Sequence, residues 1–223
     1  LEAARAKLTD SREKPHGELK VTTTPGIGIH WLTPRLGEFM DLYPDIRITL
    51  ITTDEELDLA MREADVAIRL RQPTQPDLIQ RKLFSVHFHA YASADYLKRA
   101  GTPRTLEELD NHRIMTLGGT TVPVYLQNRN WLTEVARSGK GARQPRLVIN
   151  NIMGLLRACQ RGLGIALLPD YLIEENVGLV QLFGEEEGPA LDAFFVYPEE
   201  LKSVARVQAF RDFLVSNAQR WSF

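Results

Sequence analysis

The chain has 223 residues, 43% of them hydrophobic and 25% charged, an ordinary globular composition that excludes disordered and fibrous classes. That length holds one large or two small domains and is ample for a buried core. Its 27 basic and 29 acidic side chains leave a formal net charge of -2, which gives no electrostatic footprint for nucleic acid or a membrane surface.

Leu1 to Lys14 carries good helix formers, with Leu1, Ala4 and Leu8 at helical spacing before Pro15-His16-Gly17, and reads as the tail of a longer helix. Leu19 to Thr23 is a strand. Thr24 to Gly28 is a turn, followed by a helical pattern through Trp31, Leu32, Leu36, Phe39 and Met40 that ends at Tyr43-Pro44. A strand over Ile46 to Thr52 leads through the cap Thr53-Asp54 into a short helix ending near Glu63, and Val66 to Leu70 is a third strand. Strand, helix, strand, helix, strand is half of a doubly wound α/β sheet.

Arg71 to Asp77 is a Pro- and Gln-rich loop, and Arg81 to Ser93 alternates as an extended strand. Short helices follow over Ala94 to Ala100 and Leu106 to Asn111, then a strand over Ile114 to Leu117, a Gly-Gly-Thr-Thr turn and a weaker helical pattern over Val122 to Ala136. Arg137 to Pro145 is a polar basic loop expected to lie on the surface as a connection. Leu147 to Ile149 is a strand, and Ile152, Leu155, Leu156 and Cys159 then recur at helical spacing behind a cap at Asn150 or Asn151. Gly162 stops that helix, Ile165 to Leu168 is a strand, and Pro169 is suited to start another helix. A strand near Val180, a turn over Gly184 to Gly188, a strand over Leu191 to Tyr197 and an amphipathic helix from Leu201 to Trp221 complete the chain.

Few motifs for chemistry are present. Gly26 and Gly28 sit in a strand-to-helix turn, but Trp31 stands where a dinucleotide loop needs its third glycine. His87 and His89 face one side of a strand, a spacing compatible with metal; no other ligand type lies nearby except Asp95, so packing and surface roles are the expectation and no metal is assigned. Cys159, the one cysteine, belongs to a helix's apolar face and reads as a small buried hydrophobe. No nucleophile elbow, phosphate loop or His-Glu-x-x-His occurs, so neither an enzyme nor a cofactor is expected. No stretch approaches the roughly 18 apolar residues of a membrane span, no secretion signal is evident, and the cytoplasm is the expected compartment.

What remains is a set of hydroxyls, amides and helix starts at strand carboxyl ends: Thr23-Thr24, Thr52-Thr53, Arg69, Gly118 to Thr121 and Asn150-Asn151. Open α/β sheets bind ligands in the crevice at such ends, and converging helix N-termini suit an anion such as a carboxylate. Arg69 adds a bidentate contact. Taken singly, each threonine or asparagine is as well explained by capping or turn formation.

In its ordered motifs the sequence resembles the effector-binding region of LysR-type bacterial transcription regulators. These are Gly17-Glu18-Leu19-Lys20-Val21, Leu32-x-Pro34-x-Leu36 with Phe39, Tyr43-Pro44, Ala64-Asp65-Val66-Ala67-Ile68, Ala94-Asp95-Tyr96-Leu97, Thr105-Leu106-x-x-Leu109 and Gly162-Leu163-Gly164-Ile165-Ala166-Leu167-Leu168-Pro169. The resemblance implies an α/β fold of two Rossmann-like subdomains of type 2 periplasmic-binding-protein architecture with a ligand cleft between them. The chain would cross near Tyr91-Ala92 and Ala193 to Phe195, giving 1–16 as the end of a linker and dimerisation helix, 17–90 plus 194–223 as subdomain I, and 91–193 as subdomain II. Carried over by position, the effector contacts would be Thr23, Thr24, Pro25, Thr53, Arg69, Thr120 and Asn151.

Such regulators place a winged helix-turn-helix domain and a long helix ahead of this region. The partners implied are a small-molecule effector, a second copy of the chain in a dimer or tetramer, and DNA only through that N-terminal domain. A carboxylate is the preferred effector. A free solute-binding protein of the same fold, an enzyme on the same frame and an assembly module without ligand are the competing readings. The enzyme needs an acid-base pair or covalent residue, and the expected cleft offers only Arg69 and Asp54 as ionisable groups.

Overall fold

The computed structural model describes residues 14–120, 122, 126, 130–173, 178–184 and 188–221. The helix tail expected over Leu1 to Lys14 falls outside these except for Lys14. Nine strands form the frame: β1 (Gly17–Thr23), β2 (Ile46–Thr52), β3 (Val66–Arg69), β4 (Leu78–Ser93), β5 (Ile114–Leu117), β6 (Leu147–Ile149), β7 (Ile165–Pro169), β8 (Leu179–Gln181) and β9 (Ala190–Pro198). Their spatial order is β2-β1-β3-β9-β4-β7-β5-β6, with β8 beside β4. β1 lies parallel between β2 and β3, and β5 lies parallel between β6 and β7. Each end of the sheet is thus a three-strand parallel unit, the doubly wound pattern expected from alternating strands and helices.

β4 and β9 join the two ends. β4 runs antiparallel to β9 from Leu78 to His87, then to β7 from Phe88 to Tyr91 and to β8 from Tyr91 to Ser93. β9 in turn pairs with β3 through Phe194, Phe195 and Val196. Phe195 and Val196 have no exposed surface, because both faces of these central strands are covered.

Residues 25–42 form one continuous helical stretch that changes pitch three times. Ile27–Leu32 is a π-helical turn, Thr33–Arg35 a 3-10 turn, and α1 (Leu36–Leu42) a regular helix. Pro34 is the cause: lacking an N-H it cannot continue the ladder. The Thr33 hydroxyl donates to the Gly28 carbonyl at 2.6 Å and the Arg35 guanidinium to the Trp31 carbonyl at 2.6 Å, supplying side-chain donors where the regular ladder is broken. Trp31, Leu32 and Phe39 are buried as their spacing predicts, but Met40 is 52% exposed.

The remaining helices are α2 (Ala94–Ala100), α3 (Trp131–Glu134), α4 (Ile152–Gln160) and α5 (Ala205–Arg220). Ser93 caps α2 by accepting from the Tyr96 N-H, and Ile152, Leu155, Leu156 and Cys159 of α4 all face the core. Phe210 and Phe213 of α5 pack on Phe39, with ring centroids 5.2 and 5.1 Å apart. Such aromatic burial contributes about 1.5–3 kcal/mol per side chain.

Four expectations need correction. The helix after Thr53-Asp54 does not form: the Asp58 carboxylate accepts from the N-H groups of Ala60 and Met61 and diverts the backbone into a turn over residues 59–62. Of the helix expected over Val122 to Ala136, Leu126 and Trp131–Glu134 are helical among the described residues and Asn130 is not, so the stretch is not one unbroken helix; positions 121, 123–125 and 127–129 lie outside them. Pro169 ends β7, and a 3-10 turn over Asp170–Leu172 follows it. The loop from Arg137 to Pro145 is more than a surface connection, because Arg143 is 7% exposed. Its guanidinium donates to Asp110 at 2.7 Å and to the carbonyls of Leu106, Leu132 and Val135.

Candidate functional site

At one end of the sheet the carboxyl ends of β1, β2 and β3 bring Thr23, Thr52 and Arg69 side by side. Thr23 pairs with Thr52 in register, and the Thr53 N-H donates to the Thr23 carbonyl at 2.9 Å. The helical stretch 25–42 starts directly from this edge, with the Gly28 N-H bonded to the Thr24 carbonyl at 2.9 Å. Threonine at a helix start ordinarily spends its hydroxyl on a free N-H of the first turn. Here the Thr24 hydroxyl is buried and has no hydrogen-bond partner among the described residues, and no side chain caps the π-helical turn. A buried helix start without a cap is a position awaiting an acceptor.

Arg69 is 7% exposed, and its guanidinium donates to the Leu57 carbonyl at 2.8 Å. That engages one of its five N-H donors. Thr22, Thr23, Thr24, Thr53, Asp54 and Arg69 are among the residues around a small cavity of about 20 Å³. Thr53 turns its hydroxyl to the Glu55 N-H, a turn-forming role, and Thr23 packs its methyl against Gly28. Asp54 is half-buried, and burial raises its carboxyl above the usual range. Among the described residues it has no ion-pair partner within 4.0 Å, whereas neighbouring Glu56 is paired with Arg71.

The other end of the sheet repeats the arrangement. The Gly118 N-H after β5 donates to the Ile149 carbonyl at 2.9 Å, joining the ends of β5 and β6. Thr120 follows in an exposed turn, while Asn151 caps α4, its carboxamide oxygen accepting from the Met153 and Gly154 N-H groups. Asn151 therefore keeps only its amide N-H₂ free for another contact. Phe88, Leu117, Leu126, Ile152 and Leu167 surround a second, apolar cavity of about 30 Å³, to which Asn130 contributes a polar edge.

The two ends meet at Gly26. A β-carbon there would lie 2.6 Å from the Tyr171 hydroxyl and 3.1 Å from Ile152 Cγ2. Gly26 follows Pro25, and Ile152 follows Asn151, so this contact carries the two groups of predicted residues toward each other. Thr23, Thr24, Thr53 and Arg69 line one cavity and Pro25 follows Thr24 in the chain, whereas Thr120 and Asn151 line neither cavity. Tyr171 is the residue sequence reasoning passed over, since its place was assigned to a helix beginning at Pro169.

Among the described residues no group of three metal-ligating side chains is suitably disposed for an ion. His89 bonds the largely buried Asp170 at 2.7 Å, and His87, at the surface, lies 3.7 Å from the same carboxylate. Cys159 is fully buried, its thiol donating to the Tyr91 carbonyl and pushed up to about 12 by burial, as its place on the apolar face predicted.

The model of the LysR substrate binding domain matches residues 12–219, nearly the whole chain. The chain belongs to the LysR family. The HTH-type transcriptional regulator CrgA of Neisseria meningitidis is 30% identical over 219 residues, 96% of this chain and 72% of that protein. An HTH-type transcriptional regulator of Xanthomonas campestris is 31% identical over 223 residues, 97% of this chain and 64% of its own length. The solved regulatory domain of CrgA superposes with a TM-score of 0.81 at 29% identity, over 92% of this chain and all of that one. The fold is accordingly that of LysR regulatory domains, with the periplasmic-binding-protein-like architecture, and the chain is the effector-binding domain of a LysR-type transcription regulator. Among the described residues no helix is long and apolar enough to cross a membrane.

Proposed function

We propose that this LysR-family domain senses a small carboxylate-bearing molecule held between two subdomains, residues 17–90 plus 194–223 and residues 91–193. Thr23, Thr24, Pro25, Thr53 and Arg69 contact it from one side and Thr120 and Asn151 from the other. The observation that carries this reading is the buried, uncapped helix start at Thr24, with an unpartnered hydroxyl and the mostly unspent guanidinium of Arg69 on the same cavity. A carboxylate would satisfy all three together.

Both cavities are too small for an organic acid as they stand, so binding requires the Gly26 contact with Tyr171 and Ile152 to loosen or shift. Effector binding then biases the relative placement of the subdomains, and a homo-oligomer passes that bias to DNA-binding domains N-terminal to this region, in the cytoplasm. The chain acts as a sensor without catalysing a reaction.

The test is a thermal-shift series against small carboxylates with the wild type, Arg69→Ala and Thr24→Val. A ligand at 100 times its dissociation constant adds about 2.7 kcal/mol, a clear rise in melting temperature. A carboxylate that shifts the wild type and neither variant supports the reading. A complete panel with no shift at millimolar concentration removes it.

A further inference from the structure

We propose that the effector is zwitterionic, an α-amino acid with an apolar side chain, and that Asp54 is the residue that selects its ammonium group. The inference rests on the effector-sensing reading and narrows it.

The cavity beside Thr24 is lined by charges of both signs, Arg69 with Asp54, Glu55 and Glu56. Arg69 is buried and has donors to spare. Asp54 lines the same cavity, and among the described residues it has neither a hydrogen-bond acceptor role nor an ion pair within 4.0 Å. Its neighbours do not share that condition. Glu56 is clamped by the Nε-H and one terminal N-H of Arg71, and Glu55 is exposed to solvent. A half-buried carboxylate that neither caps a helix nor meets a cation is costly to keep in a fold, and burial raises it accordingly.

A plain carboxylic acid would pair Arg69 and the uncapped N-H groups beside Thr24, but it would leave Asp54 unpartnered and close to a second negative charge. An amine alone would do the reverse. A molecule carrying an ammonium next to a carboxylate pairs both. The apolar cavity includes Ile152, which Gly26 contacts, and is walled also by Phe88, Leu117, Leu126 and Leu167. It offers an aliphatic or aromatic side chain a dry seat beyond the headgroup.

Isothermal titration of the chain with L-leucine and L-phenylalanine, against 4-methylpentanoate and 3-phenylpropanoate that lack only the amine, tests this directly. The expected result is binding of an amino acid at least about tenfold tighter than its deaminated analogue, the gain of one charge-assisted pair. Asp54→Asn should erase that preference and leave the carboxylate's own affinity unchanged or improved, Asp54→Glu should retain part of it, and Arg69→Ala should weaken both ligand classes. Melting curves for each variant show that it is folded. The inference is overturned if the deaminated acids bind the wild type as tightly, or if the preference survives Asp54→Asn. It also falls if no amino acid binds; the sensor reading then stands or falls separately on whether any other carboxylate shifts the wild type.

Discussion

Gly26 rests so close to Tyr171 that a β-carbon on the glycine would come within 2.6 Å of the phenolic oxygen. Glycine is needed here for space, since its backbone is in the ordinary right-handed helical region. Gly26→Ala should therefore cost about 1–3 kcal/mol, the usual range for overpacking a filled interface. Because the nearest clash is with the hydroxyl oxygen, Gly26→Ala combined with Tyr171→Phe should be less destabilised than the two single variants added together. Urea unfolding of the four proteins measures that coupling. Strict additivity would mean that Tyr171 moves away freely and the contact does not fix the two ends of the sheet.

Gly28 provides a stricter case two residues on. Its β-carbon would meet Thr52 Cγ2 at 2.6 Å and Thr23 Cγ2 at 2.7 Å, both β-branched side chains fixed in neighbouring strands. Gly28→Ala should destabilise at least as much as Gly26→Ala and should not be rescued by Tyr171→Phe. Rescue should come from Thr52→Ser, which removes the nearer methyl, and thermal melts of the pair check it.

Arg143 anchors the second half of the chain. Its side chain is 5% exposed, and besides Asp110 it serves three backbone carbonyls, those of Leu106, Leu132 and Val135. Removing it strands buried acceptors as well as a charge partner. Arg143→Ala should cost roughly 3–5 kcal/mol in denaturant unfolding, the range for breaking a buried pair from one side. Arg137→Ala and Lys140→Ala, which share Asp110 but are themselves more exposed, should cost much less. Equal losses for all three would show that the network is only a surface ion cluster.

These predictions separate what the sequence makes legible from what it hides. The unit β6-α4-β7 could be read because Ile152, Leu155, Leu156 and Cys159 announce a helix face and Gly162, at φ +70, announces its stop. The residues from Asp54 to Glu63 misled because local propensity favoured a helix while Asp58 offered its backbone neighbours a competing acceptor. Arg143 looked like one more cation in a polar loop, since its burial depends on Asp110 and carbonyls distant in sequence. At the site, Thr23, Thr24, Thr53 and Arg69 were legible as strand-end residues. The Gly26–Tyr171 contact was not, because two turns with no periodic signature create it.

Asp54 ties stability to function through pH. Its carboxyl is raised above the ordinary value of 3.8 by burial, so the folded state holds its proton more tightly than the unfolded chain. The stability it contributes is fully present below the unfolded value and is lost as pH rises through the folded one. At neutral pH Asp54 therefore weighs against folding, and Asp54→Asn, which keeps the shape without the charge, should melt above the wild type. That advantage should shrink as the pH is lowered and the wild-type carboxyl takes up its proton. Paired melts from pH 7 to 4 measure it. A variant that gains stability at pH 7 while losing preference for an ammonium-bearing ligand is the signature of a group kept for binding at the expense of the fold. An Asp54→Asn protein less stable than wild type at pH 7 would instead make Asp54 a structural residue with an unrecognised partner.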